Sequence, residues 1–131
     1  MQRVGILNSA IAKVLADLGH TDTVVIADCG LPVPDGVLKI DLALRLGEPA
    51  FADVLTEVLR YMKVERATIA SEMATNNPDL RRETLQLLGN VPHAECTHEE
   101  FKRLTQTAKA VIRTGENTPY ANIILQSDCI F

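Results

Sequence analysis

The chain offers few groups that could move a proton or recognise hydroxyls: its three histidines, Asp28 and a Tyr120-Ala121-Asn122 triplet. His20 follows Gly19 at the end of an apolar-periodic segment. An unperturbed imidazole titrates near ~6.5, so it can act as general acid or base at neutral pH. The plainer reading is a cation decorating a helix C-terminus, worth about 0.3–1 kcal/mol. Asp28 can bind hydroxyls or hold a histidine, and Asp28-Cys29-Gly30 reads equally as an Asx-turn without a ligand. His98, directly after Thr97, is either a site residue or a first-turn residue beside a helix cap, and His93 falls inside a strand and carries no functional expectation. Tyr120 and Asn122 combine a ring edge, a phenol and a two-way hydrogen-bonding amide, which suits a polyhydroxylated ligand. A turn around Pro119 accounts for the same residues.

These groups lie at junctions between elements. Ile11, Val14, Leu15 and Leu18 recur at helical spacing, with Asn8 or Ser9 as cap and Gly19 as a C′ stop. Thr23-Val-Val-Ile-Ala27 is too short for a second helix and β-branched, so it reads as a buried parallel strand ending at Asp28. In open α/β sheets ligands bind outside the carboxyl ends of strands. The Pro- and Gly-rich segment Cys29–Gly36 is a stiff loop, and a second strand is expected over Val37–Leu44. Phe51, Val54, Leu55, Val58, Leu59 and Met62 give the strongest helical pattern, and Arg66–Ala70 returns to strand. Asn76-Asn77-Pro78 opens a helix that runs to Gly89. Val91–Cys96 is a weaker strand, and Thr97-His-Glu-Glu100 matches a capping box. Ala108–Arg113 and Ile123–Leu125 are strands on either side of a polar loop. Helices alternating with short β-rich runs predict an α/β fold: a single domain over residues 1–131, with a mostly parallel sheet, helices on both faces and Rossmann-like layering.

A chain of 131 residues can bury a real core. At 47% hydrophobic but 4% aromatic, that core is aliphatic. A net charge of -4 without a basic cluster argues against nucleic acid as a partner and favours small neutral ligands or protein. No apolar run approaches the ~20 residues of a membrane span, and the start lacks a signal-peptide core, so a cytoplasmic protein is expected. Cys29, Cys96 and Cys129 form no metal or redox spacing and suit a reducing compartment. There is no phosphate loop, nucleotide glycine fingerprint, metal-ligand cluster or nucleophile elbow. Residue types and spacing alone end at an α/β domain with a histidine-containing site.

Leu7-Asn-Ser9, Leu18-Gly-His-Thr-Asp22, Asp28 with Gly30-Leu-Pro32, Thr97-His-Glu-Glu-Phe-Lys102, and Ala110-Val-Ile-Arg-Thr-Gly-Glu116 with Pro119-Tyr-Ala-Asn-Ile-Ile-Leu125 together resemble the D-ribose pyranase family over nearly the whole chain. Related fucose mutarotases show Gly-His-Gly-Asp and Asp-Ala-Asn-Phe-Pro where this chain has Gly19-His-Thr-Asp22 and Asp28-Cys-Gly-Leu-Pro32, which is the ribose pattern. The resemblance implies an isomerase of D-ribose ring forms, free of cofactor and metal, in a ring-built homodecamer. It also implies His20 as proton donor and Asp28, His98, Tyr120, Ala121 and Asn122 as sugar-binding positions. Cys29 stands for a usual alanine, and Ser127-Asp-Cys129 for a usual small apolar run. A sugar-binding module without turnover and a fucose mutarotase-type enzyme are the alternatives. From the ring assembly we expect a shared site, with His20 and Asp28 from one chain and the Tyr120–Asn122 loop from its neighbour.

Overall fold

Alternation within the strands sets the architecture. In β1 (Thr23–Ala27), Val24 and Ile26 point into one apolar cluster while Val25 and Ala27 point into another on the opposite face. Only a sheet covered on both sides can bury both sets. The structure, a computed structural model, describes every residue from Met1 to Phe131. Its six strands run β2 (Leu38–Asp41), β5 (Ala110–Arg113), β1, β6 (Ile123–Ser127), β3 (Val64–Ala70), β4 (His93–Cys96) across a single sheet. The β1–β5, β2–β5 and β3–β4 pairs are parallel, and β6 is antiparallel to both β1 and β3. The mostly parallel α/β fold expected from the sequence is therefore present, with one reversed strand inserted at its centre.

Helices α1 (Ser9–Asp17), α2 (Phe51–Tyr61) and α4 (Pro78–Leu88) cover the larger cluster, to which they give Ile11, Val14, Phe51, Val54, Leu55, Val58 and Leu88. Helix α5 (His98–Leu104) covers the other face through Phe101, packed with Val25, Ala27, Val111 and Ile124. Each such apolar side chain taken out of water contributes roughly 1.5–3 kcal/mol. A short α3 (Met73–Asn76) precedes α4, and a 3₁₀ turn over Thr105–Thr107 leads from α5 towards β5.

Several local details depart from the sequence reading for identifiable reasons. Helix α1 ends with Leu18 already extended, and the positive φ of 72° falls on Thr21 rather than on Gly19. The Gly19 N–H is instead taken up by Asp22 Oδ2 at 2.9 Å, so a side chain does the work expected of a glycine cap. Strand β2 is shorter than Val37–Leu44, because the Asp41 carboxylate accepts the Ala43 N–H and turns the chain. Asn77 precedes α4 without capping it; its amide reaches across to Thr118 Oγ1 and the Pro119 carbonyl, both at 2.9 Å. Half of the capping box forms: Thr97 Oγ1 accepts the Glu100 N–H, whereas the Glu100 carboxylate binds Arg103. Gly115 is required by close approach, since a Cβ there would lie 2.2 Å from the Glu48 carbonyl oxygen.

Candidate functional site

Because β6 is reversed, its first residues meet the carboxyl ends of the parallel strands. Asp28 follows β1, Ser71 and Glu72 follow β3, Thr97 and His98 follow β4, and Tyr120–Asn122 lead into β6. Asp28 and Asn122 are locked together by two bonds. The Asp28 N–H donates to Asn122 Oδ1 and Asn122 Nδ2 donates to Asp28 Oδ2, each at 2.8 Å. The other Asp28 oxygen accepts the Gly30 N–H at 2.9 Å, so the Asx-turn also forms. An anionic carboxylate has about four lone-pair positions, so capacity for ligand hydroxyls remains on Asp28. Asn122 itself is fully buried.

The loop that delivers Tyr120 is tied on several sides. Thr114 Oγ1 donates to the Ala27 carbonyl, Thr118 Oγ1 to the Glu116 carboxylate, and the Phe51 N–H to the same carboxylate. Tyr120 has a φ of 57°, an uncommon conformation for a bulky residue. Its ring meets the His98 ring edge-on at 5.1 Å, and His98 stacks on Phe101 at 6.4 Å. The His98 N–H donates to the Glu72 carboxylate at 2.8 Å. Burial pushes the Glu72 carboxyl up, but N–H bonds from His98 and Glu72 itself, the Ser71 hydroxyl and the nearby imidazole outweigh it and hold the group below its ordinary value. His98 Nδ1 is enclosed without a hydrogen-bond partner, an unusual state for a buried polar atom. Ala121 is fully buried in the larger core, which leaves only its main chain near this cluster.

His20 is elsewhere. It precedes β1 whereas Asp28 follows it, and five strand residues separate the two by roughly 16 Å along the sheet. At that opposite end His20 Nε2 lies 3.2 Å from Glu65 Oε1 and 4.0 Å from Asp128 Oδ1. The division expected from the sequence, His20 with Asp28 against Tyr120–Asn122, is overturned: Asp28 and Asn122 bond to each other within one chain, and His20 stands apart from both. Glu65, Glu72 and Gln126 were not anticipated. The strand-end rule that singled out Asp28 would have found Glu72 after β3, whereas nothing in the spacing marks Glu65.

His20, Glu65 and Asp128 are the group best suited by residue type to a cation, with donor atoms within 4.8 Å of one another. Zinc bonds of ~2.0 Å in a tetrahedron need donors about 3.3 Å apart, and Glu65 Oε2 is already engaged by Gln126, so the set does not fit a metal as it stands. What the Asp28 end can do chemically is hold several hydroxyls of a small polar molecule between a fixed carboxylate, an imidazole and a phenol.

A profile of the RbsD / FucU transport protein family matches residues 1–130. The chain belongs to this family. It is 55% identical to a D-ribose pyranase of Bacillus cytotoxicus and 57% identical to one of Exiguobacterium sibiricum, with both chains covered completely in each case. The structure of Bacillus subtilis RbsD complexed with D-ribose superimposes with a TM-score of 0.98 at 54% identity, again over the whole of both chains. A fucose mutarotase of Streptococcus pneumoniae in complex with L-fucose shares the fold, with a TM-score of 0.80 at 22% identity over 95% of each chain. No helix of this family member is long and apolar enough to cross a membrane.

Proposed function

We propose that this protein is an isomerase that interconverts the pyranose and furanose rings of D-ribose by acid/base-assisted opening of the hemiacetal, without a cofactor. The observation that carries the reading is its likeness, at 54% identity and a TM-score of 0.98, to a protein complexed with D-ribose. Full-length relatives at 55% and 57% identity that are D-ribose pyranases support turnover as well as binding.

Opening the ring needs a proton delivered to the ring oxygen and another removed from the anomeric hydroxyl. The free aldehyde can then be attacked by the C5 hydroxyl to give the pyranose or by the C4 hydroxyl to give the furanose. In this reading His20 delivers the proton, while Asp28, His98, Tyr120, Asn122 and the Ala121 main chain hold the sugar. A positioned acid or base accounts for roughly 10²–10⁴-fold in rate.

His20 of one copy then serves the sugar held by the Asp28 cluster of another. The separation of the two along β1 supports this. The exposed apolar residues Val4, Leu7, Leu44, Leu46 and Phe131 are also consistent with surfaces that copies cover. We read the assembly as a ring-built homodecamer, and the three free cysteines favour the cytoplasm as its compartment.

Magnetisation-transfer NMR on equilibrated D-ribose tests the activity. The protein should add exchange between pyranose and furanose signals, and exchange unchanged at high protein concentration would overturn the proposal. The family's description as transport proteins keeps a sugar carrier without turnover as the second reading. The same spectra separate the two, because a carrier broadens or shifts signals without transferring magnetisation. L-Fucose anomer exchange should be accelerated much less than ribose ring exchange, and equal acceleration would make the chain mutarotase-like.

A further inference from the structure

The His20 turn is fastened to the far end of β6. The Thr21 N–H donates to the Ser127 carbonyl at 3.0 Å, and the Ser127 N–H donates back to the Asp22 carbonyl at 2.8 Å. Thr21, a β-branched residue, is held at a φ of 72° beside His20, a conformation that persists only where surrounding contacts over-determine it. Across this turn Glu65 Oε1 lies 3.2 Å from His20 Nε2, and the other Glu65 oxygen accepts a bond from Gln126 Nε2. On its outer side Glu65 borders a hollow of about 380 Å³ with Arg66, Pro92, His93 and Gln126. Hydrogen bonds to His20 and Gln126 thus engage both of its oxygens. The imidazole is 48% exposed, and Nδ1 is the nitrogen left without a partner in the chain.

We propose that Glu65, anchored by Gln126, is the positioning residue of His20. Its carboxylate holds the proton on Nε2, which orients the ring and leaves Nδ1 as the nitrogen that exchanges a proton with the sugar. Asp128 Oδ1, at 4.0 Å, adds a second carboxylate neighbour on the same side. A carboxylate that fixes tautomer and ring orientation without meeting the substrate is a general device for imidazole acids and bases. The inference rests on the role given to His20 above.

The test compares Glu65→Ala, Glu65→Gln and Gln126→Ala with the parent and with His20→Ala in the assembled protein. Long-range ¹H–¹⁵N NMR reads the His20 tautomer, and magnetisation transfer at saturating ribose reads turnover. Glu65→Ala should lose the Nε2–H preference and slow exchange by about 10-fold or more, a part of what a positioned acid supplies. Ribose affinity should stay within about 2-fold, a kcat effect without a KM effect. Glu65→Gln, which keeps an acceptor oxygen, should recover the tautomer and part of the rate. Gln126→Ala, which only frees the carboxylate, should fall between parent and Glu65→Ala and carries the same readouts if Glu65→Ala does not fold. Parent-like exchange and an unaltered His20 spectrum in Glu65→Ala or Gln126→Ala would overturn the proposal, as would a loss of affinity at parent turnover. Retained exchange in His20→Ala would instead overturn the role of His20, while the tautomer spectra would still decide whether Glu65 holds the ring.

Discussion

Asn122→Ala tests how the proposed sugar-binding end is built. The substitution removes both bonds to Asp28, each 2.8 Å long, from a residue that is 0% exposed. The Asp28 N–H loses its acceptor, and a buried donor without a partner costs about 1–3 kcal/mol. The bond to the carboxylate is charge-assisted and worth about 1.5–3 kcal/mol, but Asp28 is only half-buried and water replaces part of it. Together these give a destabilisation of about 2–4 kcal/mol. At this chain length that lowers the melting temperature by on the order of 10 °C, read at one fixed protein concentration. Asp28, no longer oriented, should bind ribose at least about 10-fold more weakly by calorimetric titration, equivalent to about 1.4 kcal/mol. Asn122→Asp keeps the shape but sets two carboxylates 2.8 Å apart, a repulsion of about 6 kcal/mol at an effective dielectric of 20, and should be worse than alanine at neutral pH. A melting temperature within about 2 °C of the parent together with unchanged ribose affinity in Asn122→Ala would refute the claim that this amide holds Asp28 in place.

His20→Ala should leave thermal stability unchanged, because exposed side-chain contacts such as that with Glu65 are worth about 0–1 kcal/mol even when charged, and should slow ring exchange by about 10²–10⁴-fold. Parent-rate exchange by this variant in the magnetisation-transfer assay would remove it from the chemistry. Co-expressed His20→Ala and His98→Ala chains, each nearly inactive alone, should form mixed rings in which roughly a quarter of the sites receive both intact halves. Activity no greater than that of the separate variants would mean that copies do not share sites. Glu72 is held below its ordinary value of 4.5, so the stability it contributes is complete above that value and is lost as pH falls through the lower folded-state value. Glu72→Gln should therefore flatten the acid limb of a stability-against-pH curve, and an unchanged limb would show that the carboxylate does not support α5.

The elements were legible where one side chain decides one local outcome. The apolar spacing of Phe51, Val54, Leu55 and Val58 can be satisfied only by a helix against a core, and the run Thr23–Ala27 only by a buried strand. What spacing could not convey was direction. Ile123–Ser127 has the same β-branched character as a parallel strand, yet it runs antiparallel between β1 and β3. That single reversal carries Asn122 to Asp28, because the start of β6 falls at the carboxyl end of β1. It also carries Gln126 and Asp128 to the opposite end, beside Glu65 and His20. The pairing of Asp28 with Asn122 crosses 94 positions of sequence and that of His20 with Glu65 crosses 45, so neither leaves a local pattern to read. A site that needs both His20 and Asp28 therefore cannot close within one sheet of this size. On the proposed reading, the acid at one end of the strand meets the sugar held at the other end when a second copy presents the opposite end of its own sheet, and the mixed His20 and His98 variants test that reading directly.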